Sequence, residues 1–185
     1  MSADPNTGDR INLFAFVSYI PDPLAEFLNR LRQELVPNCF LRAHVTILPP
    51  RPIVGSSEEA RACLGSLVSN FEPFEIELGR VEVFPVTDVI HIALRSGEAH
   101  LRKMHAAMDT GCLQFNEPFQ YHPHITLAQN LKPDELDELI RVARQRWVEF
   151  KHPRSFLVEK LTFVQGTRWK EWVDLGEYPL PPNRA

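Results

Sequence analysis

The nonapeptide YHPHITLAQ (121–129) sets His124 and Thr126 one residue apart in a run that reads as a β-strand, and RAHVTILPP (42–50) sets His44 and Thr46 in the same relation. Side chains alternate along a strand, so in each copy His and Thr share one face. Val45 and Ile47, or Ile125 and Leu127, share the other. With seven His and seven Thr in 185 residues, His-any-Thr arises by chance about 0.3 times, so two copies with Val or Ile in the middle point to a repeat.

Reading outward from the two strands gives the same order of elements twice. INLFAFVSYI (11–20) is a strand, and PLAEFLNRLRQEL (23–35) spaces its leucines at helical intervals behind Pro23. The His44 strand follows, then a helix with a capping Ser in SSEEARACLGSLVSN (56–70), then the strand FEIELGRVEVF (74–84). The second pass is VIHIALRS (89–96), the helix EAHLRKMHAAMDTG (98–111), the His124 strand, the helix KPDELDELIRVARQRW (132–147) and the strand FLVEKLTFV (156–164). Corresponding elements start about 75 to 82 residues apart, which describes a duplicated strand-helix-strand-helix-strand unit. The expected organisation is one bilobal domain with repeat halves near 11–85 and 89–165 and a C-terminal strand segment at 166–180. Two like units about an approximate two-fold axis would bring the His44 and His124 strands to opposite walls of one groove. The aliphatic rows would face the helices.

Composition narrows the function classes. The hydrophobic content of 44% suffices for one core, and 20 basic against 24 acidic residues leave a net charge of -4. That balance argues against a broad surface for long duplex nucleic acid. Cys39, Cys63 and Cys112 are scattered and odd in number, which suggests neither a disulfide framework nor a metal knuckle and fits a reduced, cytoplasmic compartment. The opening MSADPNTGDR lacks the features of a secretion signal, and no segment approaches the ~18 apolar residues of a membrane span. A soluble monomer is expected.

Two imidazoles and two hydroxyls around one cavity suit a phosphodiester. An imidazole with a pKa of about 6.5 serves near neutrality as base or as acid. One His would deprotonate the attacking water while the other protonates the departing ribose oxygen, and the threonines would donate to the non-bridging oxygens. The scheme requires no metal and no cofactor.

The stretches AHVTIL, HPHITLAQ, FAFVSYIPDPLAEFLNRLRQEL (14–35) and LGRVEVFPVTDVIHIAL (78–94) together resemble the 2H phosphoesterase superfamily, and within it the bacterial 2′-5′ RNA ligase-like, or cyclic phosphodiesterase, branch. The resemblance covers residues 11–180. It implies an α+β fold with two antiparallel sheets facing a central groove and helices outside. It also implies opening of 2′,3′-cyclic phosphates to 2′-phosphates, or cleavage and joining of 2′-5′ linkages. The family's catalytic histidines carry over to His44 and His124, and its phosphate-binding threonines to Thr46 and Thr126. Where the family often places a basic residue, this chain has Gln129, and Arg42, Arg51 and Arg168 are the candidate replacements. A nucleotide cyclic phosphate or an RNA terminus is the expected partner.

Further candidates for substrate contact are Phe40, Arg42, His91, His122 and Trp169, with Phe84 and Phe119 as possible stacking surfaces. His91 stands opposite to Ile90, Ile92 and Leu94 in its strand, which makes it either a solvated edge residue or part of the groove lining. The HPH run invites a zinc reading, but no third ligand stands at a recognised spacing. His100, His105 and His152 read as surface residues. Two other classes compete: a non-catalytic nucleotide or RNA-end binder, and a histidine-triad nucleotide hydrolase. HPHIT resembles the triad's run until Thr126 stands where the third His belongs.

Overall fold

A computed structural model describes residues 9–182, so most of the opening segment used to judge a leader lies outside the described residues. Twelve principal elements follow in chain order: β1 (Arg10–Tyr19), α1 (Leu24–Leu35), β2 (His44–Arg51), α2 (Ser57–Val68), β3 (Phe74–Val83), β4 (Ile90–Ser96), α3 (Glu98–Met108), β5 (His124–Ala128), α4 (Leu136–Glu149), β6 (Ser155–Val158), β7 (Lys160–Thr167) and β8 (Trp172–Pro179). Local chemistry sets several boundaries. Ser56 accepts from the Glu59 amide and Glu59 accepts from the Ser56 amide, a reciprocal cap that starts α2.

The strands form two antiparallel four-stranded sheets in the orders β2-β1-β7-β8 and β5-β4-β3-β6. The sheets do not coincide with the sequence halves. β3, from the first half, pairs with β4 across the short 84–89 connection, while β7, from the second half, pairs with β1. Consecutive strands joined by a tight turn pair most readily, and that hairpin draws β3 into the second lobe. FLVEKLTFV is correspondingly two strands. The chain breaks at Glu159, whose carbonyl accepts from the Leu180 amide, and β6 and β7 pair in different sheets.

A continuous apolar core joins both lobes, with Leu28, Val45, Ile47, Ile92, Leu101 and Ile125 each fully buried. Burying one such side chain contributes roughly 1.5–3 kcal/mol, and Leu28→Ala would cost about 2–5 kcal/mol because a cavity remains. The helices pack on the aliphatic rows of the strands. α1 lies against β5 and α3 against β2, so each motif strand is backed by a helix of the other repeat.

β2 and β5 are edge strands of their sheets, and the sheets meet along those two edges. An edge leaves backbone groups unpaired. Here Tyr121 Oη donates to the Thr46 carbonyl at 2.7 Å, and the His105 ring nitrogen Nδ1 bonds the Ile47 carbonyl at 2.9 Å. His105 is therefore not the surface residue expected of it: it stacks on Tyr121 with centroids 3.9 Å apart and stitches the second repeat to the His44 strand. No helix among the described residues is long and apolar enough to cross a membrane.

Candidate active site

The two motif strands carry the same burial pattern. Val45, Ile47, Ile125 and Leu127 are buried, while His44, Thr46, His124 and Thr126 are half-buried on the opposite face. Each ring is held alike: His44 Nδ1 lies 2.7 Å from the Arg42 carbonyl, and His124 Nδ1 lies 2.7 Å from the His122 carbonyl. A carbonyl can only accept, so the proton sits on Nδ1 and Nε2 keeps its lone pair. At His124 that lone pair accepts from the Thr126 hydroxyl at 3.1 Å.

The walls around the rings differ. In the first sheet the register sets Tyr19 opposite His44 and Val17 opposite Thr46. A cavity of about 210 Å³ opens beside His44, lined by Tyr19, Phe40, Arg42, Val164, Glu171 and Trp172 among others. The Arg42 guanidinium lies 3.6 Å over the Tyr19 ring and is ion-paired with Asp174, which also accepts from Tyr19 Oη at 2.7 Å. Burial, then the bond to Asp174, pushes the Tyr19 phenol up. In the second sheet His91 stands opposite Thr126 and Ala93 opposite His124. Gly79 of β3 approaches closely here: a Cβ would meet the Ala93 carbonyl at 2.9 Å. Phe84 stacks on His91 at 3.8 Å and meets the His122 and His124 rings edge-on at 5.2 and 4.9 Å.

Both motif histidines are neutral at pH 7 in the unliganded protein. Burial is the main cause at each, pushing both down to about 4. At His44 the Arg32 charge adds to the effect, and at His124 the neighbouring His91 and His122 do. Burial therefore favours the neutral form of each ring, with the Nε2 lone pair in place.

The remaining candidates sort by position. Phe40 and Arg42 line the cavity, and Phe40 is largely exposed. His91 is no solvated edge residue: at 1% exposure it packs between Phe84 and His124, because its strand is covered on that face. Trp169 lies in the β7–β8 turn with Nε1 donating to Asp9, and Trp172 takes the cavity wall instead. Arg51 is buried and ion-paired with Asp109 and Glu117, so it is spent on the fold. Arg168 is exposed beside that same turn. Sequence reading missed Tyr19, Trp172, Asp174 and Arg32. Tyr19 alone had a signal, since it stands near the end of the expected strand 11–20. The described residues hold no group of three or more His, Cys, Asp or Glu side chains placed to bind a metal ion.

Comparison with known proteins agrees with this geometry. A sequence model of the 2′-5′ RNA ligase superfamily matches residues 20–168. The Halalkalibacterium halodurans protein named "Putative phosphoesterase BH1439" is 25% identical over 139 residues, covering 70% of this chain and 76% of the relative. "Putative phosphoesterase OB1230" of Oceanobacillus iheyensis is 31% identical over 78 residues, covering 42% and 45%. Among solved structures, E. coli LigT complexed with 3′-AMP superposes with a TM-score of 0.60 at 17% identity, over 93% of this chain and 98% of that one. A crystal structure described as a phosphoesterase superposes with a TM-score of 0.58 at 18% identity, over 92% and 99%. The duplicated His-aliphatic-Thr strands, the two sheets meeting at those strands and the match over residues 20–168 have one reading: the chain belongs to the 2′-5′ RNA ligase superfamily of phosphoesterases.

Proposed function

We propose that this protein is a metal-independent phosphodiesterase that opens 2′,3′-cyclic phosphates of nucleotides or RNA ends to 2′-phosphates. The observation that carries the reading is the pair of Nδ1-anchored imidazoles on β2 and β5, the edges where the sheets meet, each with Nε2 turned away from its anchoring carbonyl. Hydrolysis of a cyclic phosphate moves one proton at each end of the displacement. One imidazole takes a proton from water as its oxygen bonds phosphorus. The P–O3′ bond breaks, and the other, arriving protonated, delivers its proton to O3′. Thr46 and Thr126 donate to the non-bridging oxygens, where charge accumulates. The aromatic wall of Tyr19, Phe40 and Trp172 offers a nucleoside a stacking surface. E. coli LigT, of the same fold, has been crystallised with 3′-AMP, phosphate, ATP and NADP+, which supports a nucleotide as the ligand class.

The test is incubation with the four nucleoside 2′,3′-cyclic monophosphates in excess chelator, with products read by phosphorus NMR. The expected product is the 2′-phosphate. His44→Ala and His124→Ala should each remove most of the rate, with the double variant little worse, because both rings act on one displacement. A rate abolished by chelator and restored by zinc would overturn the reading, and binding without turnover would identify a nucleotide-binding protein instead.

A further inference from the structure

The two motif strands are alike on the groove side and unlike behind it. The Arg42 carbonyl that accepts from His44 also accepts from Arg32 Nη1 at 3.2 Å. Arg32 lies in the last turn of α1 and is 4% exposed. Its Nη2 reaches Cys39 Sγ at 3.6 Å, and its Nε has no partner. Among the described residues no carboxylate forms an ion pair with it. A guanidinium keeps its proton, and a buried charge without a counter-ion is costly unless something else uses it.

The second repeat treats the same position differently. The spacing Leu28, Leu31, Arg32, Leu35 of α1, all four buried, recurs in α3 as Leu101, Met104, His105, Met108, where His105 is only half-buried. His105 faces the Glu117 carboxylate at 3.4 Å. The His122 carbonyl that holds His124 accepts from no guanidinium among the described residues. Behind His44 the guanidinium has no carboxylate partner among the described residues, whereas behind the His124 strand Arg102 donates to the Tyr121 carbonyl and is ion-paired with Glu98.

We propose that Arg32 is a positioning residue that divides the work between the histidines: it holds His44 in the neutral, Nδ1-protonated form and so makes His44 the general base, which leaves His124 as the general acid. This rests on reading the two rings as an acid-base pair. The charged and titratable groups around His44 are Arg32 from α1, Arg42 before β2, Tyr19 from β1, Glu171 in the cavity lining, Asp174 through its bonds to Arg42 and Tyr19, and His124 of the other motif strand. Only Arg32 and Arg42 among them carry positive charge at neutral pH. The charge of Arg42 is offset by the Asp174 carboxylate, whereas that of Arg32 meets no carboxylate among the described residues, its Nη2 reaching the Cys39 sulfur. After burial, Arg32 is the largest influence lowering His44, ahead of Arg42.

The experiment compares Arg32→Gln and Arg32→Met, which remove the charge, with Arg32→Lys, which keeps it. Gln also retains a donor for the Arg42 carbonyl, so at least one neutral variant should fold. The readouts are NMR titrations of the His44 and His124 rings and the pH dependence of kcat/KM on a nucleoside 2′,3′-cyclic phosphate. Loss of the charge should raise the His44 midpoint by roughly one pH unit, the low end of what a close charge exerts, and move His124 much less. The acidic limb of kcat/KM should move upward by the same amount, and Lys should stay near the parent protein. A His44 midpoint that does not move overturns the proposal. So does an equal shift at both rings, or a limb that moves as far with Lys as with Gln. If the parent protein turns over no cyclic phosphate, the acid-base reading falls and the base assignment falls with it. An active parent whose acidic limb ignores the Arg32 charge overturns this proposal alone.

Discussion

Anion binding in the groove should be tied to proton uptake, and sulfate is the probe of choice because its charge stays constant above about pH 3. Both rings titrate near 4 in the unliganded protein, so at pH 7 roughly one His124 ring in a thousand carries a proton, equivalent to about 4 kcal/mol per ring. A tetrahedral anion between the rings favours the protonated form. If the bound state requires one imidazolium, the association constant falls about tenfold per pH unit, or about a hundredfold from pH 5 to pH 7. Calorimetry at constant ionic strength, in two buffers with different ionisation heats, measures both quantities: the slope gives the coupling, and the difference in heat gives the protons taken up. A His44→Gln, His124→Gln double variant should abolish the coupling while leaving a weaker, pH-independent affinity. An affinity that is flat between pH 5 and pH 7, with no buffer dependence, would refute the argument that burial holds these rings neutral until an anion arrives.

Three other outcomes follow from the same geometry. Thr46→Val and Thr126→Val keep strand propensity but remove a donor, so steady-state assays should show kcat/KM lower by roughly 10- to 10³-fold with circular dichroism unchanged. Full activity in both would make the threonines strand formers only. Because the folded imidazoles titrate near 4 and unfolded ones near 6.5, the unfolded chain binds more protons between those values. Stability should therefore fall as pH drops through that window, and a His44→Gln, His124→Gln double variant should flatten that part of the Tm curve by several degrees. Asp174→Asn removes the carboxylate that neutralises Arg42, so sulfate should bind about two- to fivefold more tightly at low salt, with the gain lost at high salt. No change at low salt would show that the Arg42 charge does not reach the groove.

Features that depend on neighbours along the chain were legible in the sequence. Period-two alternation in HVTI and HITL places His and Thr on one face of a strand whatever the fold, because the backbone pleat dictates it. The repeated order of elements followed from helical and strand periodicity, and with the motif residues it sufficed to recognise the family, which the match over residues 20–168 shows. Only the tertiary structure decided what depends on partners across sheets. β3 and β7 exchange lobes because strand pairing is chosen by hairpin connection and edge availability rather than by membership in a repeat. Trp172 rather than Trp169 lines the cavity because the β7–β8 register puts one inside the sheet and leaves the other in the turn. Arg51 and Arg32 look alike as letters, yet one is neutralised by two carboxylates and the other is left charged behind His44. Burial and pairing of a charge are set by residues distant in sequence, and local pattern carries no record of them.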